Sequence, residues 1–312
     1  NDVEVDVSTY TNQLRKSLNF ARFSISYIVY FWTLLSACES ASTDELVAPE
    51  VPQLSVDQPV RGTFLGVWGS DTPSGQVWFV GGEVLNETES HRLIAKYVPN
   101  LETDPPSLTG TLKLVEESDG GVLWWIWGSG LPGEVWASGE QGTILKLVEE
   151  GKESHWIEES VLIADELKDK LIIWGLWGHV DTQGQNQVWG VGGSVRRGGP
   201  KGVLLKRNTE GQWERMTHAL LPIESADDPI QGRNLYKIWG NQEQVWMVGE
   251  GSITINAKLS QTSQGLSLTD WQNINMDGDR PELLFTVAGD QPRKQPPWLV
   301  GGLAEGKAWR WS

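Results

Sequence analysis

The single thiol of the 312-residue chain is Cys38, directly behind an apolar run from Phe23 to Ala37 that closes on the small residues Ser36 and Ala37. Thiols are intrinsically strong nucleophiles, so a lone one in that position is a place for covalent attachment. One cysteine makes no intrachain disulfide and no Cys-rich zinc motif. The four histidines, His91, His155, His179 and His218, are scattered without paired spacing, so no metal site and no cofactor are expected. A Gly-x-Ser-x-Gly nucleophile elbow is absent. The net charge of −16, from 41 acidic and 25 basic side chains, repels phosphate backbones and argues against nucleic acid as partner. Against that background the stretch Ser194 to Gly202 (SVRRGGPKG) gathers Arg196, Arg197 and Lys201, chemistry suited to an anionic glycan, a lipid headgroup or an acidic protein. With Arg233 in the long insertion 215–234, and with Trp124 and Trp174 as aromatic platforms, these are the candidate binding residues.

The residues before Cys38 read as an address. Arg15, Lys16 and Arg22 precede the apolar run, which is short for a membrane span. Basic residues, an apolar stretch and small residues before a cleavage point make a secretory signal over residues 1–37. No Met precedes Met216, so an alternative start at Leu14 is expected, leaving residues 1–13 untranslated. The sequence Leu35-Ser36-Ala37-Cys38 resembles the lipobox of bacterial lipoproteins. That resemblance implies a diacylglycerol on the Cys38 thiol, cleavage before it, and a membrane-anchored protein of the cell envelope. Glu39 leaves inner and outer membrane open. The alternative is a plain signal peptide, with a secreted product, or an anchor ending in Cys. Residues 38–50, rich in Ser, Thr, acidic residues and Pro, read as a flexible tether.

The rest of the chain is periodic. An apolar run closing on Trp-Gly occurs at Trp68-Gly69, Trp127-Gly128, Trp177-Gly178 and Trp239-Gly240, with a weakened copy at Ala288-Gly289. Each is followed by a second motif: Val77-Trp78, Val135-Trp136, Val188-Trp189, Val245-Trp246 and Trp298, each running on into Gly. A third element carries Lys96, Lys146 and Lys206 in the first three units, and a fourth is marked by Trp156, Trp213 and Trp271. Short runs rich in Val, Ile, Leu and Trp between Gly, Asn, Asp and Ser read as strands. Four strands per unit of about 50 residues is the arithmetic of a β-propeller blade. The expected fold is therefore all-β: five four-stranded blades over residues 51–312, with six or seven if the connections 99–120 or 214–234 hide a further unit. Residues near 51–60 are expected to pair beside residues near 306–312 and close the ring. Glu158 to Lys170 is the one stretch of helix formers. The glycines after the second motif, Gly81-Gly82 and Gly192-Gly193 among them, are expected to permit positive φ at the turn into the third strand.

Trp-Gly-Ser, then Val-Trp-x-Val-Gly, then Gly-x-Ile-Leu-Lys and a later Trp resembles the repeat of bacterial secreted propeller proteins, and is similar to the propellers of photosystem II assembly factors. Typical copies carry Asp before the Val-Trp pair, where this chain has Gln76, Glu134, Gln187 and Gln244. The sialidase-type box Ser-x-Asp-x-Gly-x-Thr-Trp is absent; Ser70 to Trp78 only grazes it, at the wrong turn. The reading is a lipid-anchored, non-enzymatic propeller with a monomeric body that binds a protein or glycan or scaffolds an envelope complex. The alternatives are a carbohydrate-active hydrolase or lyase working at the channel mouth, for which 41 carboxylates supply candidates, and an assembly factor for a membrane complex.

Overall fold

A computed structural model describes residues 54–57, 59–70, 76–86, 89–99, 110–150, 153–218, 232–262, 265–274, 284–289, 297–301 and 307–310. The signal region and tether, Cys38 included, lie outside these residues. The described chain is almost entirely β, in five sheets.

The first sheet comprises β1 (Leu54–Val56), β2 (Thr63–Gly69), β3 (Val77–Val84), β4 (Ser90–Pro99) and β5 (Gly110–Asp119). The second holds β6 (Leu123–Gly128), β7 (Val135–Gly139), β8 (Ile144–Glu150) and β9 (Glu153–Glu158). The third holds β10 (Val161–Leu162), β11 (Ile172–Val180), β12 (Asn186–Gly193), β13 (Val203–Arg207) and β14 (Trp213–Met216), with the four-residue helix α1 (Asp165–Lys168) before β11. The fourth holds β15 (Leu235–Gly240), β16 (Gln244–Gly249), β17 (Thr254–Thr262) and β18 (Gly265–Asn273); the fifth, β19 (Leu284–Ala288), β20 (Trp298–Gly301) and β21 (Lys307–Arg310). From the strand at the Trp-Gly position outward each sheet is an antiparallel meander, and β1 and β10 add in parallel at the outer edges of the first and third. Of the helix-forming stretch 158–170 only α1 is helical. Strands β9 and β10 claim its beginning because Trp156 and Val161 bury against sheets.

One row of paired residues explains the repeated motifs. Trp68 lies opposite Trp78 and Trp78 opposite Lys96; the second sheet repeats this with Trp127, Trp136 and Lys146, and the third with Trp177, Trp189 and Lys206. The ammonium groups of Lys96, Lys146 and Lys206 sit 5.0, 5.2 and 5.8 Å from the indole centroids of Trp78, Trp136 and Trp189. So the Lys of the third element caps the Trp of the second, a cation–π contact that lets a long cationic stem cover an aromatic face. In the fourth sheet the row is Trp239, Trp246 and Asn256, and in the fifth Ala288, Trp298 and Arg310.

The sheets pack with a fixed polarity. The Trp face of each covers the aliphatic face of the next: Trp78 and Val80 meet Ile126, Val135 and Ala137; Trp136 meets Leu176 and Val188. Trp177 and Trp189 meet Ile238, Val245 and Met247; Trp246 meets Val287 and Leu299. The indoles also reach across. An ideal Cβ on Gly128, Gly178, Gly240 or Gly289 would lie 2.5–2.7 Å from the ring of Trp68, Trp127, Trp177 or Trp239 in the preceding sheet. The Trp-Gly pair is thus a linked device, in which Trp projects forward and Gly receives the Trp from behind. At the two ends of the series the faces differ. Val67 is 49% exposed where its counterparts Ile126, Leu176, Ile238 and Val287 are 1–5%, and Trp298 is 39% exposed where the other second-strand tryptophans are 0–2%.

The expected pairing of residues 51–60 beside 306–312 is corrected. β1 runs parallel to β5 in the first sheet, Leu54 opposite Gly110, and Asp57 fixes it by donating to Leu112 and accepting from the Leu114 N–H. The reason is that the connection 99–120 contains β5, a ten-residue fourth strand without a Trp to mark it, whose outer edge takes β1. The glycines that end each second strand are corrected too. None of Gly81, Gly82, Gly139, Gly192, Gly193 or Gly249 has positive φ. They are small because neighbouring atoms crowd them: a Cβ on Gly81 would sit 1.9 Å from the Thr63 carbonyl, on Gly249 2.0 Å from that of Asn234, and on Gly193 2.2 Å from Asn234 Oδ1.

Candidate functional site

At the same end a bulge recurs at one register in all five sheets. Register slips between Phe64 and Gly66, Leu123 and Trp125, Ile173 and Gly175, Leu235 and Lys237, and Leu284 and Thr286. The extra residue is Leu65, Trp124, Trp174, Tyr236 or Phe285. Such bulges bend a strand and re-aim its side chains. The five positions lie opposite the ends of the second strands, at the end of the sheets we call upper, where the second-to-third and fourth-to-first strand connections also emerge. Trp174 packs edge-on to Tyr236 at 4.9 Å between centroids, and Tyr236 stacks on Phe285 at 5.9 Å. Trp124 and Tyr236 are part-exposed and Phe285 is 46% exposed, whereas Trp174 is buried. Trp124 and Trp174, expected as aromatic platforms, are members of this recurring position, which the sequence hides because its identity changes from sheet to sheet.

Behind the bulges sits a lysine the sequence did not single out. Lys237, the residue after Tyr236, crosses β11 where Gly175 has no side chain. Its ammonium lies 3.3 Å from the Trp125 ring centroid and donates to the Trp174 carbonyl at 2.8 Å. The Trp125 indole in turn donates to the Leu176 carbonyl at 3.2 Å. One side chain therefore ties β6, β11 and β15 together beneath the aromatic positions. Burial holds the Lys237 ammonium well below the usual lysine range. Burial likewise pushes the Tyr236 phenol up to about 12, with the Glu250 charge adding to it.

The predicted basic residues gather at the same upper end. The Gly202 N–H donates to the Arg233 carbonyl at 2.9 Å, the Ser194 N–H donates to Asn234 Oδ1 at 3.0 Å, and Arg215 donates to the Lys201 carbonyl at 3.3 Å. Lys170 joins them, its Nζ 3.8 Å from where a Cβ on Gly198 would stand. Arg196, Arg197 and Arg233 are exposed. Lys201 is part-buried and donates to the Ser194 carbonyl, which makes it a staple of its own loop. Arg233 donates to the Gly251 carbonyl at 3.1 Å. The carboxylate held among them is Glu250, which accepts the Asn234 N–H.

Elsewhere, polar groups join neighbouring sheets. Glu159, buried between the second and third, accepts from the Arg207 guanidinium through both oxygens and from the indoles of Trp136 and Trp213 at 3.2 and 2.9 Å. At the lower end Gln76 donates to Glu149, and Glu134 pairs with Lys146 and accepts from Asn186. Gln76 and Glu134, each just before a Val-Trp pair, thus serve the sheet junctions here. His91 pairs with Asp119, while His179 and His218 stack on Trp177 and Trp271. Among the described residues no three His, Cys, Asp or Glu side chains gather. No protein-family model matches the chain, and no curated protein matches it.

Proposed function

We propose that the chain is a lipid-anchored, non-enzymatic β-propeller of five blades that binds a glycan or protein partner at its upper end. The observation that carries this is the bulge shared by all five innermost strands, which sets Leu65, Trp124, Trp174, Tyr236 and Phe285 at one level, at the same end as the basic loop 194–202. Binding tends to reside on unequal loops and partly exposed aromatics held by a regular scaffold. The ring closes where the Trp face of the fifth sheet meets the aliphatic face of the first, by the polarity of the other four junctions. That seam has Ala288 in place of a Trp, so it is the weakest junction. Cys38 carries the lipid and the protein belongs to the envelope.

The test is ligand screening of the full chain bearing Cys38→Ser against a panel of glycans and envelope proteins. A Trp124→Ala/Phe285→Ala variant with unchanged melting temperature loses at least tenfold in affinity for whichever partner binds. Undiminished binding by that variant overturns the assignment of the upper end.

A further inference from the structure

We infer that the upper end takes an acidic saccharide. This rests on the reading of that end as the ligand site and adds the ligand's class. Five cations, Lys170, Arg197, Lys201, Arg215 and Arg233, surround the loop 194–202, and none lies within 4.0 Å of a carboxylate among the described residues. Acidic side chains outnumber basic ones 41 to 25 in this chain, so a cluster of cations with no carboxylate within 4.0 Å among the described residues, Glu250 included, stands out. Its potential attracts anions and steers them to this end. At the same end stand the part-exposed rings of Trp124, Tyr236 and Phe285. The C–H face of a sugar ring stacks on an aromatic face while its carboxylate or sulfate pairs with a guanidinium, and a uronic or sulfated sugar offers both groups. Arginine favours such planar, bidentate recognition.

The experiment is calorimetric titration of the full chain bearing Cys38→Ser with three probes of matched length: oligogalacturonate, neutral oligogalactoside and polyglutamate. Oligogalacturonate binds, weakening steeply as salt rises. The neutral oligomer binds at least tenfold more weakly. Arg197→Glu/Arg233→Glu costs tenfold or more in affinity at unchanged melting temperature, and Phe285→Ala costs several-fold. Equal affinity for the neutral oligomer overturns the acidic class while leaving a glycan site at the upper end. Equal affinity for polyglutamate, indifferent to Phe285→Ala, overturns the saccharide. If no acidic member of a panel of uronate, sulfated and sialylated oligomers binds, the inference falls; if no glycan or protein binds at all, the proposed function falls with it.

Discussion

The Trp68 indole donates its N–H to the Gly128 carbonyl at 3.1 Å while its ring covers that glycine's α-carbon. The same ring-on-glycine contact joins Trp127 to Gly178, Trp177 to Gly240 and Trp239 to Gly289, so it is the element that repeats between sheets. A methyl group on the receiving glycine must displace a packed indole. Gly128→Ala, Gly178→Ala and Gly240→Ala should each cost about 2–3 kcal/mol, the scale of an overpacked core. Gly69→Ala should cost far less, because the nearest atom to its Cβ is a Val77 methyl of the same sheet at 3.3 Å. Denaturant midpoints of the four variants check this ranking.

Closure of the ring has its own probe. Ala288 stands opposite Trp298 where the other four sheets place a Trp in the row. Ala288→Trp rebuilds the missing contact if Gly69 waits across the seam. It should then stabilise by on the order of 2 kcal/mol, a few degrees in melting temperature. Gly69→Ala should cancel that gain in the double variant. A gain that survives Gly69→Ala, or no gain at all, contradicts closure at this seam.

Glu159 tests what joins the second and third sheets. It is buried, and Glu159→Ala leaves the Arg207 guanidinium and two indole N–H groups without their acceptor. Breaking a buried pair in this way costs about 3–5 kcal/mol. Glu159→Gln keeps one acceptor oxygen and loses the charge, so its cost should be about half as large, roughly 1.5–3 kcal/mol. Thermal unfolding of the two variants separates the charge from the hydrogen bonds.

The pH dependence of stability follows from Lys237 and Tyr236. The folded Lys237 sheds its proton well below the usual range, while the unfolded chain holds it up to about pH 10.4. Between those values the unfolded state binds more protons, so stability rises with pH. Tyr236, pushed up to about 12, acts in the opposite sense. Above roughly pH 10 the folded phenol keeps a proton that the unfolded one loses, and stability falls as pH climbs towards 12. Lys237→Met should flatten the rise up to pH 10 and leave the later fall. Denaturant midpoints at whole pH steps from 7 to 11 read both slopes.

The parts of the fold legible in the sequence are those where one residue type does one repeated job. Trp78, Trp136, Trp189 and Trp246 are all second-strand core tryptophans, and Lys96, Lys146 and Lys206 mark the third strand because capping an indole needs a long cationic stem. The bulge escaped notice for the opposite reason. Its need is geometric, so Leu65, Trp124, Trp174, Tyr236 and Phe285 all satisfy it. The one constant trace is the partner glycine, read as a turn. β5 escaped for want of a Trp, and with it the true place of β1. Arg196, Arg197 and Lys201 were legible as a charge anomaly, and Arg233 through the long insertion it lies in. That Lys170 and Arg215 join them depends on the fold bringing three connections to one end.

The central claim is that the aromatic residues at the bulges meet a sugar ring. Saturation-transfer difference NMR reads that contact directly, with oligogalacturonate in excess over the full chain bearing Cys38→Ser and irradiation in the protein aromatic region. The account predicts transfer to the sugar C–H protons, lost in the Trp124→Ala/Phe285→Ala variant at unchanged melting temperature. Transfer of equal strength in that variant would contradict it.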